Sequence, residues 1–407
     1  MKRHYLSLLN ELIELFPCVA ILGVRQCGKT TLLKMLPDTW TIFDLETNSD
    51  FQLISNDPDL FLRLNAEFTA IDECQMMPYL FPALRAAIDS DREKTGRYII
   101  TGSSSPELLK NISESLAGRV AIIELAPFSL TEACEYSQSD FFKMILSGEK
   151  PKAFHDQLKP KVDISKIHEY WLRGGYPEPW IKNNPRFFKL WMQNYIKTYL
   201  DRDILKLFPG LNSGKYRMFI QMLSNLSGTI INYSTVARSL GVSQPTTRDY
   251  FQIAHGTFLW RSIPAYEKNA VKRIVKHPRG YLRDTGLLHF MLHQYTLNEL
   301  LVHPSMGGSW EALVIENIIR GFNALGAQFD YYYYRTSAGA EIDLILEGEF
   351  GLLPIEIKYG QTVNSKELRG IKDFIRERDC PYGIVIHNDK KVTMIDEKLI
   401  GIPFAAI

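Results

Sequence analysis

One stretch near the N-terminus indicates how this chain folds: Cys18-Val-Ala-Ile-Leu-Gly23-Val-Arg-Gln-Cys-Gly28-Lys29-Thr30-Thr31. It opens with a short apolar run, which is typical of a buried parallel strand. Gly23-x-x-x-x-Gly28-Lys29-Thr30 then follows the full P-loop pattern, in which glycines let the backbone wrap closely around a phosphate with its N–H groups pointing inward. The helix expected from Lys29 adds its positive N-terminal end. We therefore expect a nucleotide to be bound by Gly23, Arg25, Gln26, Cys27, Gly28, Lys29, Thr30 and Thr31.

Charged and hydroxyl side chains in and after this loop supply the other groups that a nucleoside triphosphate requires. Lys29 places a positive charge near the β- and γ-phosphates, and the Thr30 hydroxyl is expected to bind Mg²⁺. The run Phe68-Thr-Ala-Ile-Asp72-Glu73 ends an apolar strand in two carboxylates, at the sheet edge where the loop lies. We expect Asp72 to hold the Mg²⁺ shell and Glu73 to polarise the attacking water. The alternative is a pair of ordinary acids in a turn.

Three more polar residues are candidates for contact with the γ-phosphate. Ser103 ends the apolar run that starts at Arg97 and could sense the γ-phosphate or the water, although a capped turn also explains it. Arg119 could reach the γ-phosphate of a neighbouring subunit and act in catalysis there; a surface salt bridge is the alternative. Arg173, within Leu172-Arg-Gly-Gly-Tyr-Pro, is a candidate second sensing arginine from a helical lid.

Apolar runs alternate with helical stretches through the first third of the chain. The runs are Cys18–Leu22, Thr41–Leu45, Phe68–Glu73, Arg97–Gly102 and Ala121–Leu125. Alternation of this kind predicts an α/β fold with a parallel, doubly wound sheet.

Several motifs of this sequence resemble those of a known family. The motifs of Gly23–Thr31, Ile71–Gln75, Ile100–Ser104 and Leu116–Arg119 resemble those of prokaryotic AAA+ ATPases, and Gly174–Pro177, Asp284–Leu287 and Glu341–Asp343 look like that family's C-terminal domain of unknown function. The resemblance implies an AAA+ fold with a helical lid, ATP and Mg²⁺ as cofactors, and a homo-oligomer, with a hexameric ring among the possibilities.

We predict four segments along the chain. They are an AAA+ ATPase core at 1–137, a linker and helical lid at 138–210, a winged-helix-like domain at 211–265 and a restriction-endonuclease-like α/β domain at 266–407. Residues 138–165 are rich in Ser, Lys, Gly, Pro and Asp, and we interpret them as a polar link.

The segment Ile231–Phe251 has the pattern of a helix–turn–helix. Val236–Leu240 reads as the first helix, Gly241 ends it, Ser243 caps the next helix, and Thr246–Phe251 would be the recognition helix.

Basic residues concentrate in and after this segment. Between residues 233 and 283 there are nine basic and two acidic residues, a local charge of +7 in a chain of net charge +1. The basic residues are Arg238, Arg248, Arg261, Lys268, Lys272, Arg273, Lys276, Arg279 and Arg283. We expect DNA contacts near Arg238, Arg248, Lys272 and Arg273. The alternative is a protein–protein module with a solvated basic face.

The motif Glu341-Ile-Asp343…Pro354-Ile-Glu356-Ile-Lys358 resembles the Asp…Glu-x-Lys signature of restriction-endonuclease-like folds. If a hairpin turns at Glu349-Phe350, Asp343 lies opposite Glu356 and Glu341 opposite Lys358, all on one face. Like charges would then face each other, and a metal ion or Lys358 would resolve the conflict.

This face is a candidate magnesium site of a nuclease. Its expected ligands are Asp343, Glu356 and Glu311, with Glu316 as the other helical candidate, and Lys358 would help to activate water. The alternative is a solvated strand face paired by Lys358.

Composition limits the remaining classes. The chain has 407 residues, 45% hydrophobic and 23% charged, which excludes a disordered chain and a disulfide-stapled miniprotein. The five cysteines form no C-x-x-C pair, so we expect a reducing compartment. No uninterrupted apolar run reaches the length of a membrane span, about 18 residues. We expect a cytoplasmic protein.

Together these features predict an AAA+ ATPase that hydrolyses ATP to drive DNA remodelling or translocation, with branched DNA as an attractive substrate by analogy. Two alternatives stay open. One is an ATP-gated, Mg²⁺-dependent DNA nuclease; the other is a nucleotide switch that binds a protein partner.

Overall fold

The computed structural model of the protein describes residues 3–103, 106–200, 204–208, 210–267, 276–336, 339–360 and 367–407. Its N-terminal apolar runs form five strands, β1 (Cys18–Gly23), β2 (Thr41–Asp44), β3 (Thr69–Asp72), β4 (Tyr98–Ser103) and β5 (Val120–Leu125). Their order is β2-β3-β4-β1-β5, and all neighbours are parallel. The predicted α/β class and the parallel sheet are confirmed.

Helices cover both faces of this sheet. They are α1 (Tyr5–Leu15), α2 (Lys29–Leu33), α3 (Asn48–Asn56), α4 (Pro58–Leu64), α5 (Leu80–Asp89) and α6 (Pro106–Leu116). Successive residues of β1 enter different cores: Ala20 packs with the core on one face, whereas Val19 and Ile21 pack with the core on the other. Burial on both faces explains the continuous apolar character of the strand.

The segment interpreted as a polar link is a packed part of the C-terminal core, so that interpretation is wrong. After α7 (Leu130–Ala133), the segment contains α8 (Asp140–Leu146) and α9 (Pro151–Gln157). Phe141 and Phe154 are fully buried, and the Phe142 ring lies so close to Gly321 that a Cβ there would be 2.0 Å from it. The composition of the segment is polar overall, but a helix packs against a core when only one of its faces is apolar. Composition alone therefore did not reveal these buried aromatic residues.

Mainly helical structure follows. It comprises α10 (Ile164–Arg173), α11 (Pro177–Lys182), α12 (Pro185–Thr198), α13 (Ile204–Leu207), α14 (Ser213–Leu226), β6 (Thr229–Ile230), α15 (Tyr233–Leu240), α16 (Gln244–Gly256), β7 (Trp260–Ile263) and β8 (Arg279–Leu282). The helices α15 and α16 match the predicted helix–turn–helix, with Gly241 in the left-handed region at the end of α15.

The three-stranded sheet of this unit corrects the predicted boundary at residue 265. Its order is β6-β8-β7, and β8 pairs antiparallel with both neighbours. The unit therefore extends to Leu282, because a hairpin closes only when its second strand is included.

The C-terminal part forms a separate mixed sheet. Its elements are α17 (Thr285–Met291), α18 (Leu297–Val302), α19 (Met306–Asn323), β9 (Phe329–Arg335), β10 (Glu341–Gly348), β11 (Gly351–Ile357), α20 (Arg369–Glu377), β12 (Gly383–His387), β13 (Thr393–Asp396) and β14 (Leu399–Pro403). The strand order is β13-β14-β12-β11-β10-β9, with β11, β12 and β14 parallel and the others antiparallel to their neighbours.

Two sequence-level observations on the whole chain can be compared with the structure. All five cysteines carry free thiols. Among the helices in the described ranges, none is long and apolar enough to cross a membrane.

The packing of α8 leads to a stability prediction. We expect Phe142→Ala to lower the free energy of unfolding by about 3–5 kcal/mol, because a buried ring is removed from a core that cannot fully close around the cavity. Urea unfolding followed by circular dichroism measures this. The control is Leu146→Ala on the same helix, where the side chain is 40% exposed. If both changes lower the free energy of unfolding by the same small amount, α8 belongs to a loosely packed link, as the composition indicated.

Candidate functional site

The P-loop connects the central strand β1 to α2 and forms one wall of a cavity. Gly23 ends β1, and a Cβ at this position would lie 2.3 Å from the Leu125 carbonyl oxygen, so only glycine allows β1 and β5 to pair here. Gly28 has a φ of 102°, which favours glycine, and α2 begins at the next residue. The backbone N–H groups at the start of α2 therefore face the region where a phosphate would bind.

Lys29 is placed among the groups that the sequence predicted around it. Its side chain is 5% exposed, and its Nζ atom lies 3.4 Å from the Ser103 hydroxyl oxygen and 3.9 Å from a carboxylate oxygen of Glu73. Ser103 therefore occupies the position expected of a sensor at the end of β4. Its neighbour Ser104 lies outside the described residues.

Thr30 and Asp72 meet, as the magnesium prediction requires. The Thr30 hydroxyl donates to Asp72 Oδ2 at 2.6 Å, and the Thr101 hydroxyl and the Glu73 N–H donate to Asp72 Oδ1. A hydroxyl oxygen beside a fixed carboxylate is the kind of hard oxygen pair that Mg²⁺ prefers, with water and phosphate oxygens as its other ligands. These residues fit a magnesium ion that is bound together with a nucleotide.

Glu73 is held in a defined position. Its backbone has a φ of 59°, in the left-handed region, and the Gln75 side-chain amide donates to its carboxylate. Gln75 and Thr101 are functional candidates that we did not single out from the sequence. Both residues lie within the motifs quoted from the sequence, next to the residues that they orient, and this position could have identified them.

These residues surround a cavity of about 720 Å³, large enough for a nucleotide. It is lined by Gly23, Arg25, Gln26, Gly28, Lys29, Thr30, Thr31, Glu73 and Ser103, and on the lid side by Glu178, Ile181 and Lys182 of α11, together with Tyr199, Leu207 and Thr257. Cys27, predicted to contact the nucleotide, does not line the cavity because its side chain is fully buried beneath the loop.

The catalytic arginine and the sensing arginine that we predicted both pair with other groups of this chain. Arg119 forms a bidentate pair with Asp89, at 2.7 and 2.8 Å, which is the surface salt bridge that we considered as its alternative. Arg173 donates to Glu169 and to the Pro179 carbonyl, so its guanidinium joins α10 to α11 and does not line the cavity. Among the described residues of the predicted lid, Lys182 is the cation that lines the cavity.

Several of the basic residues counted after residue 233 do not form a basic surface. Arg261 and Arg283 are buried and pair with Glu316 and Glu124, and Arg320 is 3.6 Å from Glu316. Glu316 therefore belongs to an arginine cluster and not to the predicted nuclease site. These pairs bury charge at the contact between β5, the three-stranded sheet and α19.

Of the residues predicted to contact DNA, Arg238 and Arg248 are exposed on α15 and α16. Lys272 and Arg273 lie outside the described residues, as does Lys268. Lys276 pairs with Glu267. The local excess of +7 therefore overstates the basic surface, because acidic partners from distant parts of the chain neutralise part of it.

The predicted carboxylate hairpin is present. Leu344 pairs with Ile355 and Gly348 with Gly351, and this register places Asp343 opposite Glu356. Both carboxylates are buried. Glu341, however, is exposed and pairs with Arg335, while Lys358 lies 2.9 Å from Glu356.

Arg279 takes the place that we predicted for a metal ion. Its guanidinium lies 2.7 Å from Glu311 and 3.3 Å from Asp343. In the described part of the chain, no group of three or more His, Cys, Asp or Glu side chains is arranged to hold a metal ion. In this conformation Arg279 and Lys358 pair with Asp343, Glu311 and Glu356, and the role of these carboxylates as metal ligands stays a prediction. An arginine from β8, 64 residues from Asp343 in the sequence, neutralises the acids instead.

The carboxylates in this cluster titrate abnormally. Burial raises the pKa of Glu311 to about 7 and the pKa of Glu356 to about 8, and the negative charge of Asp343 is the second cause of both increases. The positive charge of Arg279 lowers the pKa of Glu311, and that of Lys358 lowers the pKa of Glu356, but these effects are smaller. Burial also raises the pKa of Asp343. Removal of these groups from water therefore outweighs their ion pairs.

Comparisons with known proteins agree with this architecture. Residues 16–134 match a family described as an AAA domain, residues 164–297 match a domain of unknown function (DUF8612), and residues 306–407 match another (DUF4143). The uncharacterized protein Rv2008c of Mycobacterium tuberculosis is 32% identical over 363 residues, which cover 89% of this chain and 74% of that protein. The chain belongs to this family of AAA-domain proteins.

Two other similarities extend over most of the chain. The uncharacterized protein MJ1544 of Methanocaldococcus jannaschii is 22% identical over 417 residues, which cover 94% of this chain and 86% of that protein. Among solved structures, the Walker-type ATPase of Pyrococcus abyssi aligns with a TM-score of 0.42 and 15% identity, over 72% of this chain and 95% of that chain. With the family established, the N-terminal unit is an AAA-type ATPase domain and the C-terminal unit is a DUF4143 domain.

The raised pKa of Glu356 predicts how stability depends on pH. The folded protein holds the Glu356 proton up to about pH 8, whereas an ordinary glutamate loses it near 4.5. The stabilising effect of this proton is therefore complete below pH 4.5 and is lost as the pH rises through 8. We expect Glu356→Gln to flatten the fall in melting temperature between pH 5 and 9.

The control for this experiment is Glu349→Gln, in the exposed turn of the same hairpin. We expect it to keep the wild-type pH profile. If Glu356→Gln and wild type lose stability in parallel, Glu356 does not carry the abnormal titration.

Proposed function

We propose that this protein binds ATP with Mg²⁺ and hydrolyses it to ADP and phosphate. The observation that supports this most directly is the convergence of Lys29, Thr30 and Glu73 on a single cavity, with Asp72 hydrogen-bonded to Thr30 behind its wall. An anion-binding backbone, a buried lysine, a pair of oxygen ligands and a carboxylate beside the lysine are the parts that phosphoryl transfer to water needs.

Each side chain has a role in this proposal. Lys29 and the N–H groups at the start of α2 bind the β- and γ-phosphates, Thr30 and Asp72 hold the magnesium ion, and Glu73 orients the attacking water and accepts its proton. Bound Mg²⁺ would neutralise charge on the phosphates. Ser103, 3.4 Å from Lys29, would contact the γ-phosphate.

An oligomer would complete the site in this proposal. Arg119 lies at the surface, where it could supply positive charge to a neighbouring subunit's nucleotide, as an arginine does in other P-loop enzymes. Such a role requires Arg119 to exchange its Asp89 partner for a phosphate. The charge on Arg119 makes that exchange chemically reasonable, because both partners are anionic oxygens.

We propose DNA as the partner on which the ATP cycle acts. The helix–turn–helix of α15 and α16 supports this, since Gln244, Arg248 and Gln252 are exposed on the second helix and Arg238 on the first. Amide and guanidinium groups on such a helix suit base edges and phosphates. The neutralised carboxylates at Arg279 favour a motor or remodelling function over the nuclease alternative.

The role of Glu73 gives the first test. We expect Glu73→Gln to lower ATP hydrolysis about 100-fold or more, because the water loses its proton acceptor, while ATP stays bound. Phosphate release and retention of labelled ATP on a filter measure these two effects. Glu46→Gln is the control, since Glu46 lines the same cavity without contacting Lys29 in the described contacts. Hydrolysis by Glu73→Gln at the wild-type rate would refute the assignment.

The DNA proposal has a separate test. We expect single-stranded, double-stranded or branched DNA to stimulate hydrolysis, and Arg248→Ala to weaken this stimulation and reduce the slope of its salt dependence by about one. Basal hydrolysis should not change. Arg369→Ala is the control, because Arg369 is exposed on the distant helix α20. Turnover that no DNA form changes would instead support the nucleotide switch.

A further inference from the structure

A buried arginine lies directly behind the P-loop. The Arg3 side chain is 2% exposed. It donates to the Cys27 carbonyl oxygen at 2.7 Å, to the Ala126 carbonyl oxygen at 2.6 Å and to the Glu132 carboxylate at 3.0 Å. A Cβ on Gly28 would lie 3.3 Å from Nη1 of this arginine, so the guanidinium is in contact with the loop itself.

The hydrogen bond from Arg3 to the Cys27 carbonyl oxygen affects the electrostatics of the phosphate site. A loop that binds an anion through N–H groups must direct its carbonyl oxygens away from the anion, since each carbonyl carries partial negative charge. A carbonyl turned into the protein interior needs a hydrogen-bond donor, because a buried acceptor that has left water is otherwise unsatisfied. Arg3 supplies this donor to Cys27, and the next peptide N–H belongs to Gly28.

The same arginine also binds the segment 126–132, which links the ATPase domain to the rest of the chain. Leu130 N–H in this segment donates to the Asn317 side-chain oxygen of α19 at 2.8 Å, and the Phe128 N–H donates to the Gly175 carbonyl oxygen, before α11, at 2.8 Å. Glu132 accepts from the backbone N–H groups of both His4 and Ser129. Arg3 thus binds the segment 126–132, which is itself hydrogen-bonded to the rest of the chain, and also contacts the P-loop.

We propose that Arg3 is a positioning residue for the nucleotide: it holds the Cys27 carbonyl away from the cavity, so that the loop N–H groups face the phosphates. This inference rests on the proposed ATP site and deepens it. Arg3 does not contact the nucleotide, and its effect is on the affinity for any ligand that carries the β-phosphate, with or without the γ-phosphate.

Equilibrium binding of a fluorescent ADP with Mg²⁺ to the full chain tests this proposal. We expect Arg3→Ala to weaken binding about tenfold or more, because a charge-assisted hydrogen bond that sets the loop is lost. Arg3→Lys keeps the charge but cannot reach three acceptors, so its affinity should lie between those of Arg3→Ala and wild type. Phosphate release at saturating ATP should change less than the affinity does, since Glu73 and Lys29 are retained.

The control is Glu132→Gln, which removes the ion pair of Arg3 and leaves its bond to Cys27. We expect it to lower the melting temperature but to keep the affinity for ADP within about twofold of wild type. If Glu132→Gln weakens ADP binding as much as Arg3→Ala, or if Arg3→Ala binds like wild type, Arg3 is only a structural residue. If Arg3→Ala does not fold, the comparison of Arg3→Lys with Glu132→Gln decides in the same way.

The measurement also separates this inference from the proposed function. Wild-type protein that binds no labelled ADP refutes the nucleotide site, and the inference falls with it. Wild-type protein that binds ADP while its Arg3 variants bind equally well refutes the inference alone.

Discussion

The site depends on the register of three parallel strands. Gly23 at the end of β1 pairs with Ser103 at the end of β4, and Ile71 of β3 pairs with Ile100. The chain that follows each strand therefore emerges at the same edge of the sheet, which is where α/β proteins bind ligands. This register allows Thr30 to reach Asp72 across 2.6 Å, although 42 residues separate them in the sequence. A shift of one residue in β3 would turn Asp72 to the other face and leave the P-loop without its carboxylate.

Local patterns in the sequence predicted this half of the molecule well. The five strands, the P-loop, Asp72 and Ser103 were all found, because buried parallel strands are continuous apolar runs and the loop chemistry is contained in eight consecutive residues. The errors came from interactions between distant segments. Arg279 could not be paired with Glu311 and Asp343, nor Arg261 with Glu316, by counting charges in one window of sequence. The polar composition of 138–165 likewise concealed aromatic side chains whose partners lie near residue 320 and beyond.

Other interactions between distant segments join α10 and the chain that follows it to the start of α17. Asp284 accepts a hydrogen bond from the Gly175 N–H at 2.8 Å, and an added Cβ on Gly286 would lie 2.0 Å from the Arg173 carbonyl oxygen. Two motifs more than a hundred residues apart in the sequence are therefore one contact in the fold. This contact adjoins α11, which lines the cavity, and Arg320 of α19 donates to the Phe128 carbonyl oxygen.

Calorimetric titration of ATP with Mg²⁺ into wild-type protein and Lys29→Ala tests whether the cavity at Lys29 is a magnesium–nucleotide site. We expect one ATP per wild-type chain and at least about a tenfold weaker affinity for Lys29→Ala, because a buried charge beside the phosphates is lost. Equal affinities of the two proteins, or no heat of binding to wild type, would contradict it.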